Sequence, residues 1–145
     1  MTNEDFLRDW LQKVWIDQDF KAAEAAFSPQ TEMSPVAGDL KMRPNDYETM
    51  VSAICRNFRP HRFTLDHAIS KGSEISGLFT VYGRRLDTDA EAALTVHLYR
   101  KIENGKFVRS ASSPDYIGLF KSLGQLPEDT MQTLMMGGRL YETFT

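Results

Sequence analysis

The sequence predicts an α+β domain in which helices gather on one face of an antiparallel sheet. Three observations carry the prediction. Apolar residues recur at helical spacing as far as Phe58, the period then falls from near 3.6 to 2, and Asn104-Gly105 between two apolar-rich runs marks a β-hairpin. Asn-Gly supplies the two positive φ angles that a type I′ turn demands.

In chain order, Asn3, Glu4 and Asp5 cap and charge a first helix, along which Phe6, Leu7, Trp10, Leu11, Val14 and Trp15 form the apolar stripe. Asp19 opens a short second helix with Phe20, Ala23 and Phe27 on one side, closed by Ser28-Pro29. Residues 31–37 suit a short edge strand, since Pro35 forbids a central position, and a loop follows over 38–44. Asn45 with Glu48 three positions later has the form of a capping box. Tyr47, Met50, Val51, Ile54, Cys55 and Phe58 then give a third helix, ended by Pro60.

Phe63, Leu65, His67 and Ile69 next alternate with Thr64, Asp66, Ala68 and Ser70, which describes a strand with the first set facing the core. Lys71-Gly72-Ser73 turns the chain into a long strand carrying Ile75, Phe79 and Val81 on one face and Leu78 and Tyr82 on the other. A polar link over 86–91 leads to the hairpin. Pairing outward from its turn sets Glu103 opposite Lys106, Ile102 opposite Phe107, Lys101 opposite Val108, Arg100 opposite Arg109 and Leu98 opposite Ala111. Opposed arginines repel, so either a carboxylate or an anionic ligand sits between them, or both side chains splay into water. The second strand ends at Pro114-Asp115, a short helix stops at Gly124, and residues 127–145 form a helical extension with a Met131, Leu134, Met135 stripe interrupted by Gly137-Gly138.

The length suits one domain over 1–145, and 41% apolar residues with a net charge of −3 exclude a disordered chain. That charge offers no general attraction for nucleic acid, and the cluster Arg56, Arg59, His61, Arg62 reads as a solvated face beyond a helix end. No apolar run reaches the roughly 20 residues that cross a bilayer, and no signal peptide is evident at the N-terminus, so no membrane partner is expected. Cys55, the single cysteine, excludes an internal disulfide, fits a reducing, cytoplasmic setting, and reads better as an inert core residue than as a reactive thiol. His61, His67 and His97 lack metal-ligand spacing, and neither a Gly-rich phosphate loop nor a G-x-S-x-G elbow occurs, so neither metal nor cofactor is expected.

Three segments resemble the nuclear transport factor 2-like superfamily, and within it the SnoaL-like group of polyketide cyclases and ketosteroid isomerase relatives. WIDQDFKAAEAAF is similar to the paired opening helices of that group, EMSPVAG to its first strand, and ENGKFVRSASSPDYIGLFKSLG to its final hairpin and helix. The resemblance covers nearly the whole chain up to about Gly124. It implies a cone, a curved antiparallel sheet wrapped around the N-terminal helices and an apolar cavity, with 127–145 as an extra helix and a homodimer formed through the outer face of the sheet. It bears on fold more than on activity, because the superfamily includes isomerases, cyclases, dehydratases, epoxide hydrolases and non-catalytic binders.

By the same resemblance, Asp115 takes the place of the cyclases' acid/base aspartate, where desolvation would raise a carboxylate pKa toward the working pH. Its position after Pro114 equally suits a helix cap. The cyclases' histidine on the preceding strand has His97 as its counterpart here, four residues early, with Lys101 in the expected place. Strict alternation separates the two: Asp115 shares a face with Arg100, Arg109, Leu98 and Ala111, and His97 shares the other with Tyr99, Ser110 and Ser112. Both line one pocket only with a bulge, for which the segment 110–114, small and ending in Pro, is a suitable place. The tyrosine and aspartate of ketosteroid isomerases correspond to Leu11 or Trp10 and to Ser34, none of which performs those roles, with Glu32 the nearest substitute. His67, His97, Tyr82 and Tyr99 are residue types used by the dehydratases, without diagnostic spacing.

The expectation is a small-molecule enzyme performing cyclase- or isomerase-type proton transfer on an apolar carbonyl compound. Asp115 and His97 would be catalytic, and Trp15, Met33, Phe58, His67, Phe79 and Tyr82 would line the pocket. Two alternatives stay open: a non-catalytic binder of a small apolar ligand, and a dimerisation module with its cavity filled by side chains.

Overall fold

In the computed structural model, which describes residues 1–37, 40–41 and 43–141, the chain begins with helix α1 (Asn3–Leu11). Its cap is Thr2 rather than Asn3: Thr2 Oγ1 accepts from the Asp5 N–H at 3.0 Å, and the Asp5 carboxylate accepts from the Thr2 N–H at 3.3 Å. The Asn3 amide instead donates to Ser70 Oγ and to the Gly72 carbonyl, both at 2.9 Å, which ties the helix to a distant strand turn. A π-helical turn (Gln12–Ile16) continues α1, with Val14 and Trp15 buried as Leu7, Trp10 and Leu11 are before them. Helix α2 (Phe20–Ala25) is capped by Asp19, whose carboxylate accepts from the Ala22 N–H at 3.2 Å.

Phe27, expected on that helix, instead opens strand β1 (Phe27–Met33). Five strands form one open, curved sheet in the order β1-β7-β6-β5-β4, so β1 lies at an edge, where Pro29 costs no ladder bond. It runs parallel to β7 (Lys106–Pro114), a departure from the expected antiparallel sheet. Short strands β2 (Pro35–Ala37) and β3 (Leu40–Lys41) pair as a separate ribbon, and the loop expected over 38–44 lies partly outside the described residues. A 3-10 turn (Pro44–Asp46) leads into α3 (Tyr47–Ile54). In place of an Asn45–Glu48 capping box, the Asp46 carboxylate accepts from the Arg43 N–H at 2.9 Å. Helix α3 ends earlier than expected, and Phe58 and Pro60 belong to β4 (Phe58–Lys71), the other edge strand, with a register shift between Pro60 and Arg62.

Strands β5 (Glu74–Arg85) and β6 (Glu91–Glu103) complete the sheet. Ile75, Phe79 and Val81 from β5 and Leu94, Val96 and Leu98 from β6 are buried on its inner face, in one core with Leu7, Leu11, Val14 and Val51. Two irregularities re-aim side chains. In β4 the pairing shifts between Leu65 and His67, so Ala68 joins Phe63 and Leu65 against the core, while His67 and Ile69, both expected inward, are exposed.

The second irregularity lies in the hairpin. Asn104 (φ 52°) and Gly105 (φ 71°) make the expected turn, and Glu103–Lys106 and Ile102–Phe107 pair as predicted. Val108 is then an extra residue. Lys101 faces Arg109, Arg100 faces Ser110 and Leu98 faces Ser112, so neither the Arg100–Arg109 nor the Leu98–Ala111 opposition occurs. Helix α4 (Tyr116–Ser122) closes before Gly124 (φ 72°), and α5 (Thr130–Met135) follows with Met131, Leu134 and Met135 exposed; 142–145 lie outside the described residues.

Candidate functional site

Alternation along β6 turns Ala92, Leu94, Val96 and Leu98 inward, and Arg100 follows them. Arg100 is 2% exposed. Its guanidinium carbon lies 4.1 Å from the ring centroid of Trp10, 4.6 Å from that of Phe107 and 5.1 Å from that of Phe27. Nη2 donates to the Tyr47 hydroxyl at 3.1 Å. The aromatic faces attract the cation electrostatically, but among the described residues Nε and Nη1 find no acceptor and no carboxylate forms an ion pair with the guanidinium. Burial lowers the Arg100 pKa, partly offset by Tyr47, and a guanidinium in that position remains charged. Desolvating a cation without a counter-ion costs several kcal/mol.

Arg100 borders a cavity of about 40 Å³ between the helices and the inner face of the sheet. A single water needs about 10–15 Å³ on the same measure, so the space takes about three water-sized groups. Trp15, Met50 and Ile54 wall it from the helices, and Phe79, Leu94 and Val96 from the sheet. Its polar contributions come from Arg100, Tyr47, Tyr116, Ser34, Ser110 and Ser112. Burial, with Tyr47 nearby, raises the Tyr116 pKa and keeps that phenol a hydrogen-bond donor. No Asp, Glu or His lies among the described lining residues. The arrangement can therefore donate to, and electrostatically stabilise, an oxygen carrying negative charge.

Of the residues expected at the site, Trp15, Met33 and Phe79 line this cavity. Phe58, 1% exposed, packs beneath Gly83 as core. Tyr82 lies on the other face of β5, with the Arg62 guanidinium carbon 3.9 Å over its ring. His67 is exposed because of the β4 irregularity. His97 is exposed on the outer face, 3.4 Å from Ser76 Oγ and beside Tyr99 and Ser113. Asp115 is also exposed, and its carboxylate accepts from the Gly118 N–H at 2.9 Å to cap α4. The bulge falls at Val108 rather than within 110–114, so Pro114, not Asp115, borders the cavity. Asp115 and His97 are thus not brought together with the cavity walls. Cys55 is half-buried, and desolvation raises its thiol pKa. Among the described residues no three His, Cys, Asp or Glu side chains cluster for a metal, and no helix is long and apolar enough to cross a membrane.

The central feature, Arg100, escapes a reading by residue type, because arginine in a strand ordinarily points to water. The available signal is positional: it continues the inward set Leu94, Val96, Leu98 and precedes Ile102.

No protein-family model matches the chain, and no curated protein matches it in sequence. Solved structures do. IdmH from Streptomyces antibioticus, a candidate polyketide cyclase, superposes with a TM-score of 0.72 over 86% of this chain and 99% of its own, at 13% identity. AclR from Streptomyces galilaeus, a candidate hydroxylase, gives 0.70 over 86% and 96% at 14% identity. A Catenulispora acidiphila protein with a ketosteroid isomerase-like fold, in complex with trimethylamine, gives 0.69 over 88% and 98% at 13% identity. Identities this low speak to fold alone. The chain has the nuclear transport factor 2-like fold, in the form shared by SnoaL-like polyketide cyclases and ketosteroid isomerase-like proteins.

Proposed function

We propose that the protein binds and acts on a small, mainly apolar carbonyl compound in the cone cavity, with Arg100 and Tyr47 meeting its oxygen. The observation that carries this reading is the buried guanidinium, without a counter-charge among the described residues, at the border of an apolar space. Fixed donors there lower the cost of negative charge growing on a carbonyl oxygen, as in enolisation, the step common to aldol cyclisation and double-bond isomerisation. Tyr47 accepts from Arg100, so its own hydroxyl proton is directed elsewhere. The outer face of the sheet is the proposed contact between two copies, and a monomer in light scattering at micromolar concentration would remove that part.

A second reading, a non-catalytic binder, is favoured by one observation: the described walls hold no group that takes a proton from carbon at neutral pH. One experiment separates them. The protein is incubated in D₂O with a panel of small ketones, and α-proton exchange is followed by NMR alongside binding. Exchange above the buffer rate that falls in Arg100→Met supports the enzyme, binding without exchange supports the binder, and absence of binding removes both.

A further inference from the structure

We infer that the molecule this cavity takes is an ionised carboxylic acid, whose carboxylate compensates the Arg100 guanidinium and takes up its unpaired donors. The inference rests only on the reading that the cavity accepts a small molecule, and puts a carboxylate in place of the neutral carbonyl as the group that meets Arg100. Charge balance is the first argument. A neutral carbonyl supplies a hydrogen-bond acceptor but leaves the buried cation uncompensated, whereas a carboxylate supplies both. Donor geometry is the second. Nη2 carries two protons and gives one to Tyr47. Its other proton shares an edge of the planar fork with either Nε or Nη1, and both of those lack acceptors. Whichever proton Tyr47 takes, one complete two-donor edge is left without an acceptor among the described residues, the arrangement a carboxylate engages in bidentate fashion. Nε and Nη1 are fully covered, so an acid reaches that edge only as the side chains around the cavity shift aside.

Size and wall chemistry agree. A carboxylate is three heavy atoms and by itself takes up the room for about three water-sized groups beside Arg100, so the acid is a short one. Ser110 and Ser112 border the same space and can donate to either carboxylate oxygen. Trp15 and Phe79 wall the same space, and the adaptable side chains Met33 and Met50 can shift to admit the short alkyl body of the acid. No carboxylate of the described chain competes for the position.

The test titrates the protein with acetate and propionate against acetamide and chloride at constant ionic strength, reading thermal shift and NMR chemical-shift changes. Acetate and propionate should bind at least about tenfold more tightly than acetamide. Arg100→Met removes the charge at similar length, so it should fold with an equal or higher Tm and lose the acetate response. If that variant does not fold, Arg100→Lys, which keeps the charge but loses the fork, should retain a weakened response. Equal responses to acetate and chloride, equal responses to acetate and acetamide, or a full acetate response in Arg100→Met would each overturn the inference. Acetone, which has the size of acetate, serves as the neutral control: its binding without acetate binding sinks the carboxylate and spares the cavity reading, and binding of neither sinks both.

Discussion

The Trp10 ring holds the Arg100 guanidinium carbon 4.1 Å from its centroid while its indole N–H donates to the Ala23 carbonyl at 3.1 Å. One side chain thus supports the buried cation with its face and the end of α2 with its edge. Trp10→Leu removes both supports and leaves a void. A desolvated cation–π contact contributes about 2 kcal/mol, and truncating a large core aromatic costs about 3–5 kcal/mol in total. Urea unfolding should show a loss in that range with an unchanged slope; a loss below about 1 kcal/mol would show that the indole bears neither load.

Asp115 separates a capping role from a catalytic one. Asn caps helices about as well as Asp, so Asp115→Asn should leave stability and ligand binding unchanged, while Asp115→Ala should cost about 1 kcal/mol. Loss of a measured activity in Asp115→Asn at unchanged stability would instead restore the carboxylate to the chemistry.

Gly83 lies where β5 passes over the start of β4. A Cβ there would sit 2.6 Å from the Phe58 ring and closer still to the Arg59 carbonyl. Backbone cannot yield as a flexible side chain can, so Gly83→Ala should cost about 1–3 kcal/mol. Hydrogen exchange should show the loss concentrated at the Phe58 end of the β4–β5 ladder, and an unperturbed Tm would contradict the close approach.

Stability should fall in alkali. Burial raises the Cys55 pKa from its ordinary 9.0 and, with Tyr47 close by, the Tyr116 pKa from its ordinary 10.0. A group with a raised folded pKa contributes stability that is intact below its unfolded value and is lost as pH rises through the folded one. Tm should therefore decline from about pH 9 upward, and Cys55→Ala should remove the earliest part of the decline. A Tm that stays level from about pH 8 to 10 in the parent protein would be inconsistent with those two groups.

What the sequence discloses is what acts through local backbone chemistry. Asn104-Gly105, the Asp19 cap and Gly124 each work within a few residues of themselves, and each stands where it is expected. Phe27 is ambiguous in principle, because one aromatic at the end of a short helical pattern also suits the start of a strand, and pairing with β7 decides it. The hairpin register is hidden for a different reason. Ser110, Ala111, Ser112 and Ser113 offer almost no hydropathy contrast, so both phases of alternation fit them equally. Arg100 depends on Trp10, Phe27, Tyr47 and Phe107, which come from four separated segments and meet only in the folded chain.

The extra residue at Val108 also shapes how the hairpin assembles. Zipping up from Asn104-Gly105 without it would face Arg109 toward Arg100 in the same dry space, whereas the observed register sends Arg109 outward to Glu32 at 3.5 Å. Arg109→Leu should lower that barrier to slippage and add a second set of β7 amide resonances; a single set would argue that packing alone fixes the register. Electrostatic repulsion then serves as proofreading: the simpler strand pairing is the one that two like charges force back open, and the chain is left with the alignment that keeps a lone cation inside.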